Sequence, residues 1–287
     1  MKKTQAAAAA AVLVSGLIVL ALGCDSRRAT SSSSGGDDLA VAASRASPSG
    51  LEQGRNIGRG VTIVLVHGAF ADASGWQDVI PILQRDGFNV IAVQNPLSSL
   101  ASDVAWTRRV IEAQSGPVVV VGHSYGGAVI TGAAAGNPNV RALVYIAAYA
   151  PDVGEPIGAL NALFPPTALG TALTIDAAGF LYVDVTRFRA LFAADLPERQ
   201  TRVLAVTQKP LAAAAFGETL DQAAWRTIPS WFLVAREDQA INPDLERFMA
   251  RRMGARTSEI SSSHVPFASH PNKVAELIEE AASAGHE

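Results

Sequence analysis

Apolar residues gather in short runs separated by stretches of helical period. Residues 61–66 read Val-Thr-Ile-Val-Leu-Val, a nearly continuous apolar run that predicts a strand covered on both faces. The next segment carries Trp76, Val79 and Leu83 on one helical face, with Asp72 or Ser74 as its cap and Gly87 as its stop. Residues 88–93 predict a second strand. A helix follows over 98–114, with Leu100, Val104 and Ile111 facing inward and Gly116-Pro117 ending it. Four valines, 118–121, form the third strand. Residues 142–148 and 231–235 give two more strands, 258–260 a weak sixth, and 272–282 a closing amphipathic helix. Strands alternating with helices predict a parallel sheet with helices on both faces. Such sheets bind ligands at the carboxyl ends of their strands, where His67, Ser124, Asp238 and His264 all fall.

Residues 151–228 break the alternation. They contain Pro151, Pro156 and Pro165-Pro166, then Ala-, Leu- and Phe-rich pieces around 186–192, 197–207 and 211–216. We read a small, mostly helical cap inserted into a domain spanning 61–285. Its Leu160, Leu163, Phe164, Phe180, Phe188, Phe192 and Phe216 predict a small core and an apolar pocket. Ahead of the domain, Lys2 and Lys3 precede an apolar-to-small run over 6–22 and then Gly23-Cys24, the pattern of a bacterial export signal over 1–24. Cys24 is the single cysteine, so no intramolecular disulfide can form. Its place predicts a lipidated residue and a membrane-anchored envelope protein, although Ala21 stands where lipoprotein signals prefer Leu. The alternatives are a cleaved signal with a secreted or periplasmic product, or an uncleaved anchor helix. Residues 25–60 are rich in Ser, Gly, Ala and Arg and predict a flexible tether.

Composition narrows the chemistry. The chain has 287 residues, 49% of them hydrophobic, and a net charge of -3, which suits one large core and argues against nucleic-acid binding. No zinc, phosphate-loop or dinucleotide motif occurs, so neither a metal nor an organic cofactor is expected. Gly122-His123-Ser124-Tyr125-Gly126 follows the valine strand and precedes a small-residue helix. This is G-x-S-x-G in the strand–turn–helix setting of a nucleophile elbow. The serine must stand on a sharp turn, and glycines at 122 and 126 remove side chains that would collide with the neighbouring strand and helix. A hydroxyl is a weak nucleophile at neutral pH and needs an imidazole to take its proton. The imidazole in turn needs a carboxylate to fix its tautomer.

The elbow, His67-Gly68 and the trailing Asp and His resemble the α/β-hydrolase superfamily. The branch with small esterases related to plant methylesterases and hydroxynitrile lyases is the nearest match, over about 61–283. The strand-like pattern begins only at Val61, so the sheet is expected to have about six strands and to lack the family's first two. The family order of Ser, acid, His implies Ser124, Asp238 and His264 as the catalytic residues. Glu237 and Asp152 compete for the acid role. Among five histidines, His270 is the alternative base, His123 is expected to point away from the attack site, and His67 to shape its loop. Backbone N–H groups of Tyr125 and, by resemblance, Ala69 would bind the oxyanion, with Phe70 the alternative. The side chains of Phe70 and Tyr125 are expected to line the substrate pocket. The expected reaction is hydrolysis of a short, aromatic or methyl ester through an acyl-enzyme. Perhydrolase or haloperoxidase chemistry would use the same residues. A hydroxynitrile lyase would carry Lys after the catalytic histidine, where this chain has Val265, and a haloalkane dehalogenase would need Asp in place of Ser124. A ligand-binding protein that kept the fold is the non-enzymatic alternative.

Overall fold

The structure, a computed structural model, describes Gly58 and residues 60–284. The export segment over 1–24, Cys24, and all but Gly58 and Gly60 of the tether expected over 25–60 lie outside the described residues.

In chain order, β1 (Thr62–Val66) leads through a 3-10 turn to α1 (Ile80–Arg85), then β2 (Asn89–Val93) and α2 (Leu100–Glu112). Next come β3 (Val118–Ser124), α3 (Tyr125–Ala133) and β4 (Val140–Ala148). The cap holds α4 (Ile157–Asn161), β5 (Leu173–Ile175), β6 (Phe180–Val183), α5 (Phe188–Phe192), α6 (Glu198–Thr207) and β7 (Leu211–Ala212). The chain then returns to the sheet with β8 (Ser230–Ala235), α7 (Pro243–Met253), β9 (Arg256–Ile260), α8 (Pro266–Ser269) and α9 (Pro271–Ala284).

The main sheet has six parallel strands in the order β2-β1-β3-β4-β8-β9. Its centre is dry: every residue of β1, β3 and β8 is buried, as the unbroken apolar runs require. α1 packs against α9 and α2 against α3, so the sheet is covered by helices. β9 is an edge strand. Its Arg256-Thr257-Ser258-Glu259 is exposed, which explains why the sixth strand gave so weak an apolar signal. The segment ahead of α1 is a 3-10 turn rather than one continuous helix, with Asp72 accepting from the Ser74 N–H at 2.7 Å. Pro81 sits in the first turn of α1 and supplies no N–H to a helix running through it.

Helices are the commonest regular elements of the cap. A three-stranded antiparallel sheet, β5-β6-β7, joins them, an element the helical periodicity did not predict. The piece expected as a helix over 211–216 begins as strand β7 and ends as a 3-10 turn. Leu211 pairs across with Leu181 of β6 and is fully buried, so pairing outweighed the helix preference of the alanines that follow.

Candidate active site

The carboxyl ends of β3, β8 and β9 converge on one edge of the sheet. β3 ends in Ser124, whose backbone stands at φ 54°, ψ -126°, in the positive-φ region that ordinary residues avoid. A register shift between His123 and Ser124 marks the point where the strand is bent into the turn. The glycines make this turn buildable. A Cβ on Gly122 would come within 2.6 Å of the Gly126 carbonyl oxygen, and one on Gly126 within 2.5 Å of the Val66 carbonyl oxygen. α3 begins at the next residue and directs its N-terminus at the serine.

Asp238 follows β8 and His264 follows β9, and the two side chains meet. His264 Nδ1 lies 2.5 Å from Asp238 Oδ2, with both groups almost fully buried. Asp238 Oδ1 accepts the N–H groups of Ala240 (2.6 Å) and Ile241 (2.9 Å). The carboxylate is therefore held at both oxygens, and the imidazole is held by one nitrogen with Nε2 left for another partner. Ser124 reaches this pair through its neighbour: His123 Nε2 donates to the His264 carbonyl at 2.8 Å, and the two rings are 4.7 Å apart. On the other side, a Cβ on Gly68 would fall 2.6 Å from Ser124 Cβ, so the Gly68-Ala69-Phe70 loop lies directly against the serine.

The other histidines have structural work. His67 Nδ1 donates to the Gly68 carbonyl at 2.8 Å, and its Nε2 accepts the Asn95 N–H at 3.0 Å. Burial lowers its pKa to about 4, so it holds the loop as a neutral ring. Burial, and then the neighbouring His264, depress His123 well below the ordinary value. His123 thus acts as a neutral strut beneath the His264 backbone, a role the expectation that it points away did not include. His270 bonds Ser269 Oγ, and its carbonyl accepts from Lys273 and Val274 at the start of α9. Of the rival acids, Asp152 is paired with Arg226 at 2.8 Å and Glu237 is exposed.

Two details bear on the expected oxyanion donors and pocket residues. The N–H of Phe70 is already used, donating to the Lys209 carbonyl at 3.0 Å, and this bond accompanies a strained φ of 60° at Phe70. Tyr125 departs from expectation in its side chain. The ring is buried, and its hydroxyl donates to Asp103 Oδ2 at 2.8 Å instead of facing the pocket. Asp103 explains this: burial raises its pKa, and it needs the donors it gets from Tyr125 and the Leu97 N–H. The sequence carried no sign of that pairing, because the two residues lie 22 positions apart.

A cavity of about 560 Å³ opens between the loop after β1 and the cap. Phe70, Phe188, Phe192, Leu204, Val265 and Phe267 give it an apolar wall, and Arg199, Gln200 and Asp72 add polar groups. Ser124 and His264 are outside its lining but one aromatic layer away: the Phe192 ring meets His264 at 4.9 Å and Phe70 at 6.3 Å. Among the described residues no group of three or more His, Cys, Asp or Glu side chains could hold a metal ion.

Comparison with known proteins gives a consistent result. Residues 63–277 match the family model described as the alpha/beta hydrolase family. An alpha/beta hydrolase of Aspergillus novofumigatus is 27% identical over 244 residues, covering 77% of this chain and 96% of that protein. A pyrethroid hydrolase of Sphingobium wenxiniae is 26% identical over 260 residues, covering 77% and 88%. Among solved structures, a pyrethroid hydrolase from Sphingobium faniae superposes with a TM-score of 0.68 at 22% identity, covering 78% of this chain and 98% of that one. Polyneuridine aldehyde esterase gives 0.67 at 16% identity, covering 77% and 99%. These structural likenesses speak for the fold.

Proposed function

Because the chain belongs to the alpha/beta hydrolase family, we propose that it is a carboxylic ester hydrolase working through Ser124, His264 and Asp238. The observation that carries this reading is the buried His264–Asp238 bond at the sheet edge where Ser124 stands on a strained turn. With Nδ1 bonded to Asp238, His264 presents the lone pair of Nε2 to the serine hydroxyl. Ser124 Oγ attacks the ester carbonyl while His264 takes its proton. The same proton then goes to the leaving alcohol, and water, activated by His264, hydrolyses the acyl-enzyme. The N–H groups of Tyr125 and Ala69 bind the oxyanion. Ala69 is preferred over Phe70 because the Phe70 N–H is committed to Lys209. Each such donor contributes roughly 3 kcal/mol to the transition state.

The apolar cavity beyond Phe70 and Phe192 suits esters with an aromatic or bulky apolar group, in keeping with relatives named for pyrethroid and carbendazim hydrolysis. A fluorophosphonate probe is expected to label the wild-type chain and not Ser124→Ala, and the variant is expected to lose turnover of a panel of aryl and methyl esters. Undiminished turnover by Ser124→Ala would sink the mechanism. The same reading keeps residues 1–24 as an export signal with Cys24 lipidated. A palmitate analogue labelling wild type and Cys24→Ser equally would remove that part alone.

A further inference from the structure

Behind Asp238 lies a second acidic side chain that the reaction above does not use. β4 pairs with β8 only as far as Ile146 opposite Leu233, and the Arg236 N–H turns the other way, to the Ile260 carbonyl of β9. The N–H of Ala235 therefore points past the end of the ladder, where a buried donor needs an acceptor. Glu246, in the first turn of α7, supplies it: Oε2 accepts this N–H at 3.1 Å. The Glu246 side chain is fully buried, and its Oε1 has no donor facing it. Asp238 sits on the same stretch of backbone, its N–H donating to the Ala235 carbonyl at 3.3 Å, and its carboxylate is the acidic neighbour of this side chain.

Two neighbouring carboxylates, both shut off from water, cannot both be ionised. The partners decide which one holds the proton. Asp238 has three donors: His264 and the N–H groups of Ala240 and Ile241. Glu246 has one. The remaining charged and titratable neighbours do not change this. Arg247 turns its guanidinium to Asp244 and Glu259, and Tyr149 gives its hydroxyl to Asn161.

We propose that Glu246 is a neutral carboxylic acid that donates its proton in a hydrogen bond to the Asp238 carboxylate, making it a positioning residue for the acid–base pair. Burial, and then the adjacent Asp238, drive its affinity for the proton in the same direction. The arrangement bridges the open end of the β4–β8 ladder to the carboxylate that orients His264. This assignment of purpose rests on the proposed role of Asp238, whereas the protonation of Glu246 does not.

Two measurements test it. Glu246→Gln keeps both bonds, an oxygen to accept from Ala235 and an N–H to give to Asp238, but cannot ionise. A glutamic acid protonated in the fold and ordinary, near 4.5, in the unfolded chain contributes stability fully present below pH 4.5 and lost as pH rises. The thermal midpoint of Glu246→Gln relative to wild type is therefore expected to climb steadily from pH 5 to pH 8, about one proton's linkage per unit. A difference that stays flat would mean that Glu246 is charged and would overturn the proposal. In ester turnover, Glu246→Leu is expected to lower kcat about tenfold with little change in KM, and Glu246→Gln to rescue it. A Gln variant as impaired as the Leu variant would also overturn it. Should Glu246→Leu fail to fold, the midpoint comparison decides alone. That comparison also survives a failure of the ester-hydrolase reading, which Ser124→Ala tests separately.

Discussion

β1, β3 and β4 are joined along most of their length by ladder bonds, and β8 joins β4 over four residue pairs, whereas the cap reaches the site through a few separate contacts. Each of those contacts falls on a different loop. The Lys209 carbonyl takes the Phe70 N–H at 3.0 Å, and its ammonium donates to the Asn95 carbonyl. The N–H of Leu169 donates to the Gln239 carbonyl, next to Asp238, at 3.1 Å. Asp195 accepts from Ser262 Oγ and the Ser263 N–H, each at 3.0 Å, and from the Ser263 hydroxyl, just ahead of His264. Burial pushes the Asp195 carboxyl upward, yet the hydroxyl and N–H donors of Ser263, Ser269 and Ser262 hold it below the ordinary value. The sheet decides where the loops begin. The cap, with few and partly exposed bonds, trims how they end.

If that division is right, changes on the two sides should differ in kind. The largest effect belongs to the sheet edge. Asp238→Asn is expected to lower kcat by roughly 10³- to 10⁴-fold while KM changes little, because the amide cannot hold the His264 tautomer. Steady-state kinetics on an aryl ester checks this, and a loss confined to KM would break the assignment.

Next in size is a pH effect carried by the histidine under the sheet edge. Burial holds His67 near 4, whereas the unfolded chain titrates near 6.5. The native ring stays neutral while the unfolded one takes a proton. Its contribution is therefore intact above pH 6.5 and is lost as pH falls from 6.5 to about 4, by about 3 kcal/mol in all. Urea titrations across that window should reveal the slope, and His67→Asn, which does not titrate, should have a smaller one.

The smallest effect sharpens the comparison most. Asp195→Ala removes the cap's hold on the segment before His264 and is expected to lower kcat about tenfold with the thermal midpoint nearly unchanged. A large drop in midpoint with normal kcat would show the cap to be part of the fold's foundation instead.

Much of this was legible in order along the chain. The valine run, the G-x-S-x-G turn and the apolar periods depend on near neighbours, so they announced the parallel sheet and the strand–turn–helix around residue 124. The edge strand β9 was faint because an exposed edge tolerates Arg256, Thr257, Ser258 and Glu259, which no burial pattern distinguishes from a loop. The strand pairing at Leu211 was hidden for a related reason: a two-residue strand is too short to show a period.

By itself the sequence determined which residues could supply a hydroxyl, an imidazole and a carboxylate, and that each follows a strand. Only the tertiary structure decided what surrounds them. Tyr125 turned to Asp103, His123 braced His264, and Glu246 filled the end of the β8 ladder beside Asp238. The physical reason is the accounting of buried polar groups. Which donor is left over depends on where a strand pairing stops, and that is settled by packing between segments far apart in the chain.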